Sequence, residues 1–151
     1  MSERADQAVA MFLKGCNCAQ SVLVCCGADR GLPRETALRV AQAFGGGIGR
    51  TGNLCGALTG ALMCVGLRCV ALEASDKASK ARSADMAQWV MDEFARRNGT
   101  LLCRELTGAD LRTPDGQKHF RDSDALNKVC AKVVRDGVEI VEELFARGQW
   151  V

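Results

Sequence analysis

Tyrosine is missing from this chain, histidine occurs once, proline twice, and no Cys-x-x-Cys spacing is found anywhere. A single histidine, His119, excludes zinc hydrolases built on two or three histidines. A nucleophilic pair of His119 with Cys103 or Cys130 is the one histidine mechanism left open, but a lone histidine flanked by Lys118 and Phe120 more often serves the surface. Without Cys-x-x-Cys, a thioredoxin-like dithiol, a zinc ribbon and the local spacing of ferredoxin clusters all fall away. The charges are mixed to a formal net of +2 with no basic run, so nothing matches a row of phosphates and nucleic acid is not an expected partner. Few aromatics are set against 48% hydrophobic residues rich in Ala, Leu and Val, which is enough for a core built from packed helices.

The 151 residues fit one domain, residues 1–151. Residues 1–7 are charged and lack the apolar stretch of a secretory signal, so the expected compartment is the cytoplasm. The most apolar run, Leu54 to Leu72, contains Arg68 and many small residues, which suits a buried helix of a bundle better than a membrane span.

Apolar spacing predicts a first helix from Ser2 to Lys14, stopped by Gly15, and a second capped by Asn17 and running to about Cys26. Pro33 opens a third, carrying Ala37, Leu38, Val40, Ala41 and Phe44. A glycine-rich loop from Gly45 to Gly52 then leads, with Asn53 as the expected cap, into a central fourth helix that holds Cys55 in its first turn. A charged helix from about Ser75 to Arg97 follows, with Ala78, Ala81, Met86, Trp89, Val90 and Phe94 as an imperfect apolar stripe. A short turn over Leu101 to Leu106 carries Cys103, Thr-Pro-Asp-Gly reads as a break, and a last helix spans Ser123 to Arg147 with Leu126, Val129 and Cys130 inward. The expected fold is an all-α, single-domain helical bundle with the glycine loop leading into its central helix.

That loop does not meet the phosphate-binding pattern GxxxxGK[ST]. Gly47-Ile48-Gly49-Arg50-Thr51-Gly52 does match GxGxxG, with Glu73 about 20 residues further on. The segment before it is helical in pattern, so a nucleotide-binding βαβ unit is not expected. The loop instead offers a polar, electropositive approach to Cys55, where unpaired N–H groups and Arg50 should lower the thiol pKa. Gly52, Gly56 and Gly60, four residues apart, leave one helix face bare for a close helix or a cofactor. Glycine-faced helices also allow two copies to pair, so a homodimer is compatible with the chain.

Nine cysteines, an odd number, disfavour a secreted disulfide framework. Cys18, Cys55 and Cys103 open helices, as thiolate sites do, whereas Cys25, Cys26, Cys64 and Cys69 sit in apolar runs that favour the core. By pattern alone Cys130 also reads as core, and Cys16 with Cys18 makes only a weak C-x-C signal.

The segments Asn17-Cys18-Ala19-Gln20-Ser21-Val22, Phe44-Gly45-Gly46-Gly47-Ile48 through Cys55-Gly56-Ala57-Leu58-Thr59-Gly60, Cys103-Arg104-Glu105-Leu106-Thr107-Gly108, and Cys130 before Val133-Val134 together resemble the C_GCAxxG_C_C family of redox-active proteins. The resemblance covers residues 12 to 134; the chain reads C-G-A-L-T-G where the family's name spells G-C-A-x-x-G. It implies that the four marking cysteines are Cys18, Cys55, Cys103 and Cys130, which raises Cys130 above its core reading. The family is similar to part of the split-Soret cytochromes, whose cysteines have been linked to an iron–sulfur centre; this chain has no C-x-x-C-H haem site. The leading expectation is therefore a [2Fe–2S] cluster on these four cysteines, with Gly56 and Gly60 giving it room, for electron transfer to an unidentified redox partner or for redox sensing. One alternative is a thiol–disulfide oxidoreductase with Cys55 as the reactive thiolate, and another is a structural or regulatory zinc site on the same four cysteines. Whether the protein is an enzyme stays open at this level.

Overall fold

The computed structural model describes residues 2–69 and 75–148. The helices are α1 (Glu3–Leu13), α2 (Cys18–Gly27), α3 (Arg34–Val40), α4 (Gly56–Arg68), α5 (Lys77–Asn98), α6 (Cys103–Thr107), α7 (Pro114–Asp122) and α8 (Ala131–Ala146). Among the described residues there is no strand, only a single bridge between Leu54 and Leu102. The chain is an all-α bundle, as its periodicity predicts. Glu73 and the end of the apolar run at Leu72 lie outside the described residues.

Local chemistry sets the helix starts. Ser2 caps α1 by accepting from the Ala5 N–H, and Asn17 forms a reciprocal capping box with Gln20 at the start of α2. Helix α4 is the centre of the bundle, packed against α2, α5 and α8, while α8 also contacts α1 and α2. Leu58, Ala61, Cys64 and Val65 of α4 meet Val22, Leu23 and Cys26 of α2 and Val134, Val138 and Val141 of α8 in one core. Burying side chains of this size stabilises the fold by roughly 1.5–3 kcal/mol each before chain entropy is counted. No helix among the described residues is long and apolar enough to cross a membrane.

Several expected boundaries shift. The third helix ends at Val40, and a separate 3-10 turn, Gln42–Phe44, turns the chain into the glycine loop. Along α5 the stripe narrows to Met86, Val90 and Phe94, with Ala78 and Ala81 exposed. Thr-Pro-Asp-Gly, read as a break, begins a helix instead: Thr113 caps α7, accepting from the Gly116 N–H, and Pro114 takes the first position, where no N–H is needed. The expected last helix is interrupted, because a π-helical turn over Leu126–Cys130 precedes α8 and leaves Leu126 exposed. Such insertions redirect side chains and recur at functional sites.

Candidate functional site

Cys55 is not in the first turn of α4 but immediately before it, in the cap position, with extended backbone at φ −55° and ψ 136°. Asn53, the expected cap, belongs to a different contact. The Cys55 N–H donates to Leu101 O at 2.8 Å, the Cys103 N–H to Asn53 O at 2.8 Å, and the Arg104 N–H to Gly52 O at 3.1 Å. This short antiparallel pairing around Leu54 and Leu102 holds Cys55 and Cys103 side by side at the starts of α4 and α6. Only the repeated Leu-Cys at 54–55 and 102–103 hints at it in the sequence.

The glycine loop adopts a left-handed turn. Gly46, Gly47, Ile48, Gly49 and Arg50 all have φ between 60° and 69°. For Ile48 and Arg50 this conformation costs about 1–2 kcal/mol each. Thr51 Oγ1 lies 2.9 Å from Gly47 O and 2.7 Å from Ile48 O and shares its proton between them, while Arg104 Nη2 donates to Thr51 O at 2.9 Å. Gly47 is pressed onto the site: a Cβ there would stand 2.6 Å from the Cβ of Cys103. The N–H groups of Gly46 and Gly47 take part in no hydrogen bond among the described residues.

These elements enclose a cavity of about 430 Å³ whose walls include Cys18, Cys55, Cys103 and Cys130 together with Gly45, Gly46, Gly47, Gly56, Phe12 and Leu106. Four chain segments each contribute one thiol: the start of α2, the cap of α4, the start of α6 and the end of the π turn. Cys55, Cys103 and Cys130 are buried and Cys18 partly so, and all nine cysteines are free thiols. Asn17 fixes the α2 wall, since its side-chain amide donates to Ala41 O at 3.3 Å and Gln42 O at 3.0 Å. Gly56 lines the cavity, whereas Gly60 lies off it and gives room for the backbone of α2, where an added Cβ would meet Ala19 O at 2.8 Å. Gly52 does not extend that stripe; it precedes α4 in a left-handed conformation beside Arg104.

The electrostatics reverse one expectation. The Ala57 and Leu58 N–H groups do point at the Cys55 sulfur and favour its thiolate, but burial outweighs them and pushes its pKa up to about 12. Burial likewise lifts Cys103 to about 11. Cys18 and Cys130 share a hydrogen bond, which raises Cys18 well above its ordinary value, with burial and the other three site cysteines adding to the rise. The same bond holds Cys130 below its ordinary value against the effect of burial. The cysteine that pattern assigned to the core is thus the one whose thiolate the site favours. Among the described residues, no three His, Cys, Asp or Glu side chains gather closely enough to hold a single metal ion. His119 lies on the exposed face of α7, without a hydrogen bond to any cysteine among the described residues.

Fold and site define a helical protein in which four thiols from separate segments surround one apolar cavity. Residues 16–144 match the family described as "Putative redox-active protein (C_GCAxxG_C_C)", and the chain belongs to that family. Neither the curated proteins nor the solved structures contain a significant match to it.

Proposed function

We propose that Cys18, Cys55, Cys103 and Cys130 hold an iron–sulfur cluster, most simply [2Fe–2S], and that the protein serves electron transfer to a redox partner or redox sensing in a reducing compartment, the cytoplasm. The observation that carries this is the convergence of these four cysteines, out of nine, on one largely apolar cavity in a chain of a redox-active family. Four cysteines are the full ligand set of an all-cysteine cluster, and a two-iron centre divides them in pairs, so no three thiols have to meet at one point. A tetrahedral zinc site needs all four around a single ion, a demand the thiols' spread around the cavity walls suits less well. The free N–H groups of Gly46 and Gly47 are available as donors to sulfur, and most of the wall around it is apolar. When bound, such a cluster supplies one-electron redox chemistry. The protein's part is to bring the four thiols together and hold them through the Leu54–Leu102 pairing and the Asn17 contacts.

The hydrogen bond between Cys18 and Cys130 favours a second reading, a dithiol–disulfide couple. Cys130, rather than Cys55, then attacks a substrate disulfide and expels one thiolate. Cys18 displaces the second, so that the substrate gains two electrons and two protons and the protein keeps a Cys18–Cys130 disulfide.

Iron, acid-labile sulfide and zinc content, with a visible spectrum, on protein purified without oxygen separates the readings. About two irons and two sulfides per chain are expected. A colourless, iron-free protein with a titratable disulfide overturns the cluster in favour of the couple, and stoichiometric zinc overturns both.

A further inference from the structure

Beside the cysteine cavity lies a second, smaller one of about 250 Å³, lined by Arg50, Leu111, Gln117, Phe120 and Arg121. Arg50, Leu111 and Phe120 are walls of both, so the two spaces adjoin. The surrounding cations fall into two groups. Arg104 donates to Thr51 O, Arg112 pairs with Asp110, and Lys118 pairs with Asp122. The guanidinium groups of Arg50 and Arg121 have no ion pair or hydrogen bond among the described residues, and no carboxylate lines either cavity. Arg50 also holds a left-handed backbone at φ 63°, between Gly49 and Gly52, a conformation costly for a residue with a side chain. A glycine there would remove that cost, and with it the positive charge at the shared wall.

We propose that this outer cavity binds a small organic anion, with Arg50 and Arg121 holding its carboxylate and Leu111 and Phe120 covering its apolar body. The apolar walls favour such a ligand over a bare inorganic ion, and the volume limits it to something smaller than a drug-sized molecule. Two unpaired guanidinium groups supply the charge-assisted, forked contacts that carboxylates accept. The proposal deepens the reading of the cysteine cavity as the redox centre, because it names the kind of molecule admitted next to it, but binding does not itself require a cluster.

The test is calorimetric titration of the full chain, as purified anaerobically, with benzoate, with neutral benzamide and with sulfate. Benzoate should bind at least about tenfold more tightly than either of the others, and Arg50→Gln and Arg121→Gln should each weaken it by about tenfold, the scale of one charge-assisted contact. Arg50→Gly should also lose benzoate affinity while melting at a higher temperature than the wild type, so misfolding cannot account for the loss. Equal binding of benzoate and benzamide, sulfate binding as tightly as benzoate, no binding, or indifference to both arginine substitutions overturns the site. Iron and sulfide read on the same samples keep the two claims apart: a chain without iron that still selects benzoate overturns the cluster and leaves the anion site standing.

Discussion

Cys18, Cys55, Cys103 and Cys130 stand at helix starts, a cap and the end of a π turn, whereas Cys64 lies well inside α4 and Cys26 in the last turn of α2, two helices packed face to face. The first four line a cavity; the other two are 1% and 0% exposed and lie in the same core. Cys25 lies 3.7 Å from Met11 Sδ and Cys69 3.4 Å from Met86 Sδ, again as packing contacts. Burial is therefore common to both sets and does not separate them. What separates them is placement: the first four line the cavity, whereas Cys26 and Cys64 lie off it, in the core that α2 and α4 share.

Replacing one cysteine from each set gives the sharpest test. Cys55→Ser should lose most of the bound iron and sulfide, because serine keeps the size of the side chain and removes the sulfur ligand. Cys64→Ala should retain the metal and lose about 1–2 kcal/mol of stability, the cost of a small cavity in a tight core. Metal analysis and denaturant melts on both proteins read the two effects separately. If Cys64→Ala empties the site, or Cys55→Ser leaves it filled, the division between the sets is wrong.

The glycine loop permits a second contrast, within one turn of chain. Gly47→Ala would place its Cβ 2.6 Å from the Cβ of Cys103 and 2.7 Å from the N and O of Asn53, in a backbone that also resists a side chain, whereas at Gly49 nothing lies within 4 Å. We expect Gly47→Ala to cost about 3 kcal/mol or more, clash added to strain, and Gly49→Ala only about 1 kcal/mol from strain alone. Urea denaturation of the two variants measures the gap; equal losses would mean that the loop does not bear on Cys103 as described.

How much of this was legible in the sequence follows the same division. The helices of the core were, because Ala5, Ala8 and Phe12, or Met86, Val90 and Phe94, repeat at helical spacing and that spacing is a local property. Asn17 as a cap was legible too, since Gln20 three residues later completes its pattern. The tie from Asn17 to Ala41 and Gln42 was not, because it joins segments 24 and 25 residues apart through backbone carbonyls that carry no side-chain signal. Nor was the pairing of Asn53 with Cys103, or the π turn that ends at Cys130. The expected low pKa of Cys55 failed for a related reason: helix-start N–H groups are local and visible, but the desolvation that outweighs them comes from neighbours distant in sequence.

Gly56 and Gly60, two of the three glycines of α4, divide in the same way, with smaller effects. Gly60→Ala must push against Ala19 O at 2.8 Å and should cost about 1–3 kcal/mol with the metal content intact, since the cavity does not reach it. Gly56→Ala meets the Cβ of Cys18 at 3.1 Å and borders the cavity, so it should lower the iron content as well as the stability. Iron per chain at matched folded fraction distinguishes them, and parallel losses would place both glycines in one role.

The smallest effect lies farthest from the cysteines, where α5 meets α8. The Glu93 carboxylate accepts from Arg96 at 2.6 and 2.9 Å and from Arg97 at 3.0 Å, and Arg97 reaches on to Glu139 at 3.1 Å and Glu143 at 2.6 Å on α8. The Arg96 contact, aided by Arg97 and opposed by partial burial, brings the Glu93 pKa from an ordinary 4.5 down to about 2. A depressed carboxylate pKa favours the folded state above the unfolded value, and that contribution fades as the pH falls from about 4.5 towards 2. Glu93→Gln should therefore melt below the wild type at pH 6, and the gap should narrow below pH 4.5 and close towards pH 2, with iron content at pH 6 unchanged. A constant offset between the two melting curves across that range would show that the carboxylate's charge does not link α5 to α8, and a loss of iron would tie this distant network to the cavity after all.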